Sequence, residues 1–279
     1  MYRLIHVPVD GSPFAEQALP LAVNLAKRDG AALQIVRVHE PIEGEFLHRP
    51  GTYGSALDRE LMDNAREQLN ATVSAVAEKT GLRADIALLK GPIPEMVARH
   101  ASASQADLLV MTTQARGPLG RLWFGSVADA LVRQAPTPIL LVRPTETTPD
   151  FTRPIIQRVL IPLDGSQFAE EALEPAISLG GPAGEFTLLR VVPAITPVAY
   201  EPDQGRISGL RTSVLQQLQE LKREQEAEAN EYLEDIASRL RSRSLNVLTQ
   251  MVTYEQPAVA ILDAAARHSV DAIAMTTRG

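Results

Sequence analysis

The sequence predicts an α/β protein built as two repeated, doubly wound parallel-sheet sandwiches. Three observations carry this expectation: an internal repeat, near-continuous apolar strands, and amphipathic segments between them. Val7-Pro8-Val9-Asp10-Gly11-Ser12 returns as Ile161-Pro162-Leu163-Asp164-Gly165-Ser166, and Val36-Arg37-Val38 returns as Leu189-Arg190-Val191. Asp107 to Thr113 returns as Asp271 to Thr277. Self-similarity on this scale means two homologous domains. Between the copies, Pro144 to Pro154 is a polar Pro/Thr stretch of linker character. The expected boundaries are 1–143 for the first domain, 144–153 for the linker and 154–279 for the second domain.

In the first copy, runs suited to buried strands lie at Leu4–Val9, Leu33–Val38, Ile86–Leu89, Leu108–Met111 and Ile139–Val142. Apolar strands alternating with helices imply a parallel sheet covered on both faces, wound by right-handed crossovers. The first helix shows the pattern well. Ala15, Ala18, Leu19, Ala22 and Ala26 share one face, repeated as Ala169, Ala172, Leu173, Ala176 and Ile177. Ser12 is the expected N-cap, Pro13 suits the first helical position, and Glu16 complements the first-turn dipole. The second copy carries a longer polar insert, Leu210 to Arg243, with Leu215, Leu218, Leu221, Leu233, Ile236 and Leu240 spaced along one helix face. A solvated helix packed by one stripe is expected there, with a partner-binding helix as the alternative.

Composition excludes several function classes. The chain has 279 residues, no cysteine and a net charge of −7. The missing cysteines remove disulfides, thiolate metal sites and a thiol nucleophile. The acidic balance argues against a nucleic-acid-coating protein. No apolar run reaches the roughly 18–20 residues of a bilayer span. The N-terminus reads as a strand rather than a signal peptide, so a cytoplasmic location is expected, with no membrane partner. Five histidines, His6, His39, His48, His100 and His268, are scattered without metal-ligand spacing. His6 fits a core strand, whereas His39 stands at a strand's carboxyl end, where ligand contact is the lesser of its two readings. No nucleophile elbow is present, and no carboxylate pair is spaced for acid–base work. An efficient enzyme is not expected.

Ligands of doubly wound sheets bind beyond the carboxyl ends of the strands, at the topological switch point. Asp10 follows the first strand, where it can accept hydrogen bonds from an adenine or ribose, or serve as a turn residue bonding backbone N–H groups. The stretch Arg116 to Val127 is Gly-rich and runs through Gly125-Ser126 into an apolar helix. Backbone N–H groups, a cap hydroxyl and the helix dipole favour an anionic phosphate, although the lysine of a Walker A loop is lacking. The same turn also has a purely structural reading.

The Val-Pro-Val-Asp-Gly-Ser opening, the Asp-Leu-Leu-Val-Met-Thr-Thr strand, the Gly-Ser-Val-Ala-Asp helix start and the Ala-Pro-Thr-Pro-Ile-Leu-Leu-Val finish resemble the universal stress protein family. The resemblance covers nearly the whole chain, in tandem. It implies five parallel strands in the order 3-2-1-4-5 per domain, a stress-response role, and ATP binding with Mg²⁺ in some members. Other members bind no nucleotide and act through protein contacts, which is the alternative function. The family's phosphate pattern is Gly, two residues, Gly, nine residues, Gly-Ser; counted back from Gly125-Ser126, its leading glycines fall on Thr112 and Ala115. A Cβ at Ala115 is costly if that position needs positive φ or close approach. The resemblance places Pro8, Val9, Asp10 and Val38 on the adenosine side, and Thr112, Ala115, Arg116, Gly125, Ser126 and Val127 on the phosphate side.

In the second copy the same resemblance assigns Pro162, Leu163, Asp164 and Val191 to the adenosine side, and Thr276 and Gly279 to the start of the phosphate side. The stretch matching Arg116 to Arg143 does not follow. The expectation is a second domain lacking its last helix and strand, in a sequence cut short, with ligand binding chiefly in the first domain. Family members commonly dimerise, so a homodimer or an intrachain pairing of the two domains is expected. Protein partners cannot be read from the sequence.

Overall fold

The computed structural model describes residues 1–41, 53–113, 125–144, 151, 156–194 and 208–277. The chain divides into two compact units, Met1–Ile155 and Ile156–Gly279. Unit 1 carries β1 (Leu4–Pro8), a 3-10 turn (Ala15–Ala18), α1 (Leu19–Asp29), β2 (Ala32–His39), α2 (Tyr53–Thr80), β3 (Ala84–Lys90), α3 (Ile93–Ala103), β4 (Leu108–Thr112), α4 (Ser126–Gln134) and β5 (Ile139–Val142). Its five strands are ordered β3-β2-β1-β4-β5, and every pairing is parallel.

The strand pattern explains the layers. On one face Leu109 and Met111 pack with Val97, Ala101, Ala128 and Leu131 of α3 and α4. On the other, buried residues of α1 (Ala22, Val23, Ala26) and α2 (Ala65, Leu69, Val76) cover the sheet. Alanines on α1 let it sit close, as the small-residue face requires. The start of α1 differs from expectation. Ser12 Oγ does accept from Ala15 N at 3.2 Å, but the following residues form a 3-10 turn, and α1 begins only at Leu19, with Pro20 in its first turn. Pro13 lies in the preceding turn.

Unit 2 repeats the plan with β6 (Arg158–Pro162), α5 (Gln167–Glu170), α6 (Leu173–Gly180), β7 (Glu185–Pro193), α7 (Ser208–Arg241), β8 (Asn246–Tyr254), α8 (Pro257–Arg267) and β9 (Ala272–Ile273). Its four strands are ordered β8-β7-β6-β9, all parallel, and among the described residues no helix or strand follows β9. Here Ser166 is a true N-cap, its hydroxyl accepting from Ala169 N at 3.1 Å. The stripe on α7 is buried in its later half. Leu233, Ile236 and Leu240 are buried, whereas Leu221 is 46% exposed. Among the described residues, no helix is long and apolar enough to cross a membrane.

The repeat extends to fine contacts. Asp107 accepts from the backbone N–H groups of Arg3 and Leu4 at 2.6 and 3.0 Å, tying the start of β1 to β4. Asp271 accepts from those of Gln157 and Arg158 at 3.0 and 2.8 Å, tying β6 to β9. Gly11 and Gly165 hold φ of +84° and +87° in matching turns, each above an arginine, Arg37 or Arg190. Only glycine enters that region without strain.

Candidate functional site

In unit 1 the connections after β1 and β4 leave toward opposite faces, so their carboxyl ends open a crevice. This is the switch point at which doubly wound sheets bind ligands. A cavity of about 430 Å³ lies there, within the usual range of small-molecule sites. Pro8, Val9 and Asp10 come from the end of β1, Val36 and Val38 from β2, and Met111, Thr112 and Thr113 from the end of β4. Ile93 and Val97 of α3 line it, as do Gly125, Ser126, Val127 and Ala128 at the start of α4, and Ser12, Phe14 and Ala15 after the first turn. Eight of the residues singled out in sequence thus share one wall system: Pro8, Val9, Asp10, Val38, Thr112, Gly125, Ser126 and Val127. Ala115 and Arg116 lie outside the described residues, as do Gly117, Gly120 and Gly279.

The wall has two characters. Val9, Val36, Val38, Ile93, Val97 and Met111 make it apolar toward β2 and α3, which suits a flat base. The start of α4 supplies the opposite character. Gly125 is the N-cap, in an extended conformation, and it brings no side-chain cap to the helix. The expected cap hydroxyl is therefore corrected: Ser126 is the first helical residue, and glycine has no side chain to cap with. A helix start left without a side-chain cap, bordering a cavity, favours an anion. The donor set and the volume both fit an adenine nucleotide.

Asp10 has a structural job. Its Oδ1 accepts from Ser12 N at 2.8 Å, closing the turn around Gly11. Asp164 repeats the bond to Ser166 N at 2.9 Å and adds one from Ser166 Oγ at 2.6 Å. The Ser166 hydroxyl and N–H, with Arg190 nearby, hold the Asp164 carboxyl below the usual range. The turn reading of these aspartates is thus realised, and Asp10 lines the cavity as well.

His39 does not line the cavity. Alternation on β2 sends Val36 and Val38 toward the cavity and sends Arg37 and His39 toward α2. There Arg37 Nη1 donates to Gln68 Oε1, and His39 Nε2 pairs with Asp58, which Lys90 also engages. Lys90 and His39 together hold the Asp58 carboxyl low. His39 belongs to this ion-pair cluster rather than to the cavity. His6 is buried in the core as expected. It stacks on His100 with ring centroids 5.0 Å apart, and its Nε2 lies 3.3 Å from Ser104 Oγ.

In unit 2 Pro162 ends β6, Leu163 and Asp164 follow it, and Val191 lies in β7. These are the positions that Pro8, Val9, Asp10 and Val38 hold in unit 1. Thr276 follows β9 and is partly exposed. Arg190 Nη1 donates to Leu163 O at 3.4 Å, and its guanidinium lies 6.0 Å from the ring of Tyr232. Burial, with Glu170 nearby, pushes the Tyr232 phenol up to about 12.

Motif reading missed Phe14, Ile93, Val97, Met111 and Thr113 among the cavity residues. For Thr113 a signal was present: period-two alternation from Leu109 through Met111 puts it on the same face. For Ile93, Val97 and Phe14 there was none, because nothing in a helix face or a turn says which cavity it will border. Among the described residues, no cluster of three or more His, Cys, Asp or Glu side chains is placed to hold a metal.

The comparisons with known proteins agree with this architecture. The model of the universal stress protein family matches residues 1–143 and 156–279. A universal stress protein of Thermus aquaticus is 36% identical over 144 residues, spanning 51% of this chain and all of that one. Another, of Methanocaldococcus jannaschii, is 29% identical over 143 residues, spanning 51% of this chain and 83% of that one. Among solved structures, a universal stress protein from Archaeoglobus fulgidus superimposes with a TM-score of 0.63 at 16% identity. That match covers 97% of this chain and 83% of the other, and speaks to the fold alone. With both halves matched in turn, the chain belongs to the universal stress protein family, as a tandem of two such domains.

Proposed function

We propose that this protein is a stress-response regulator that binds an adenine nucleotide, ATP with Mg²⁺ first among them, in the unit 1 cavity. The observation that carries the reading is the joining of two surfaces in one crevice: apolar walls from β1, β2 and α3, and the start of α4 without a side-chain cap. The apolar side accepts the base, Asp10 offers an acceptor to the ribose or the base, and α4 receives the phosphates. Magnesium would accompany the nucleotide, neutralising phosphate charge. Binding without rapid turnover suits a regulator, whose output is a change in stability or association.

Thermal unfolding with and without ATP–Mg²⁺ tests the reading. A ligand that binds only the folded state adds about 2.7 kcal/mol at a hundred times its Kd, so the transition of unit 1 moves upward as ATP is raised. A transition that stays fixed at millimolar ATP removes the nucleotide from the account. A protein-contact role without nucleotide then stands in its place, favoured by Thr112 and Ala115 where the family pattern has glycine.

A further inference from the structure

We propose that the Thr113 hydroxyl is a ligand contact, donating a hydrogen bond to a phosphate oxygen seated over the start of α4. The proposal rests on the adenine-nucleotide reading of the same cavity. Thr113 is only 7% exposed, yet its Oγ1 has no hydrogen-bond partner. A buried hydroxyl left unpaired is uncommon and needs a reason. Its backbone N–H is engaged in holding the sheet, Thr113 N donating to Val142 O at 3.0 Å. The side chain is therefore carried on a fixed frame.

Its direction follows from the strand. Leu109 and Met111 pack toward α3 and α4, and Thr113, two residues on, lines the cavity on that face. The nine-residue α4 begins on the same cavity, at Gly125, with no side chain capping its first turn. Thr113, whose buried O–H has no acceptor, and the glycine-capped start of α4 thus line one cavity. A phosphate oxygen accepts from both and carries the charge that the helix start favours. A ribose hydroxyl or a base nitrogen meets the hydroxyl but leaves the helix start unanswered. Asp10, a carboxylate, disfavours an anion beside it, so the nucleoside end of the ligand belongs near the turn after β1.

The test compares the whole chain with its Thr113→Val and Thr113→Ser variants, titrated calorimetrically with ATP–Mg²⁺ and separately with adenosine. Thr113→Val is expected to weaken ATP about tenfold, as loss of a hydrogen bond to a charged group does. Adenosine binding should be unchanged, and Thr113→Ser should bind ATP as the parent does. Without ligand, Thr113→Val should melt no lower than the parent, because the fold does not use the hydroxyl. Parental ATP affinity in Thr113→Val overturns the proposal, as does an equal loss for adenosine or a lower ligand-free melting temperature. If the parent binds neither ligand, the nucleotide reading fails and this proposal falls with it. If the parent binds ATP and Thr113→Val binds it equally, only this proposal is lost.

Discussion

His6 gives unit 1 an acid sensitivity that its counterpart position in unit 2 lacks. The imidazole is fully buried. Burial, with His100 acting in the same direction, pushes its pKa down to about 4 from 6.5. Gln34 Oε1 lies 2.7 Å from His100 Nε2, and burial holds His100 below its ordinary value too. The folded state therefore prefers neutral His6, while the unfolded chain takes up a proton near pH 6.5. Stability from this group is fully present above pH 6.5 and is lost as pH falls toward 4. The shift is worth about 3 kcal/mol in full, of which about 2 kcal/mol is gone by pH 5. The repeat supplies the control substitution, because Leu160 holds the matching position in β6 and is fully buried. His6→Leu should therefore fit, and at pH 7.5 it should change stability by no more than about 1.5 kcal/mol. Hydrogen exchange read by mass spectrometry, corrected for intrinsic rates, follows β1 and α3 separately from β6. The parent should lose protection in unit 1 between pH 7.5 and pH 5, and His6→Leu should keep most of it. An equal loss in both proteins would refute the reasoning.

Two further substitutions test the frame around the cavity. Gly11→Ala forces a Cβ into a φ of +84°, at a cost of about 1–2 kcal/mol, read as a lower denaturant midpoint for unit 1; an unchanged midpoint contradicts it. Asp107→Ala leaves the N–H groups of Arg3 and Leu4 without their acceptor, a loss of about 1–3 kcal/mol. Burial pushes the Asp107 carboxyl up, but the two backbone bonds and Arg3 outweigh it and hold the pKa below the ordinary value. Its contribution is therefore present above about pH 4 and lost as pH falls through its lower folded value. Thus Asp107→Ala and the parent should converge in strong acid, and a constant gap down to pH 2 argues against the bond network.

Much of this fold was legible because it rests on local patterns. β5 lies at Ile139–Val142, where the apolar run placed it, and β1 to β4 fall within two residues of expectation at either end. The four-stranded second sheet followed from the repeat. Less legible were features set by packing between distant segments. The 3-10 turn before α1 follows a proline-bearing turn where the helical pattern looked continuous. Leu221 fits a helical stripe by spacing and is exposed, whereas Leu233, Ile236 and Leu240 on the same helix are buried, a difference that spacing alone does not encode. His39 stands beside cavity residues in sequence and faces away from them in space, because successive strand residues point to opposite faces. Thr113 is the reverse case, a cavity residue hidden next to a motif position.

The central claim is that the unit 1 cavity holds an adenine nucleotide. The most direct measurement is a calorimetric titration of the whole chain and of its Val38→Phe variant with ATP–Mg²⁺. Val38 is a partly buried cavity residue at the end of β2, so an aromatic ring there fills the apolar side while β2 stays paired with β1 and β3. The account predicts saturable heat from the parent, and its loss in Val38→Phe with unit 1 still folded by hydrogen exchange. No heat from the parent, or equal heat from the variant, would contradict it.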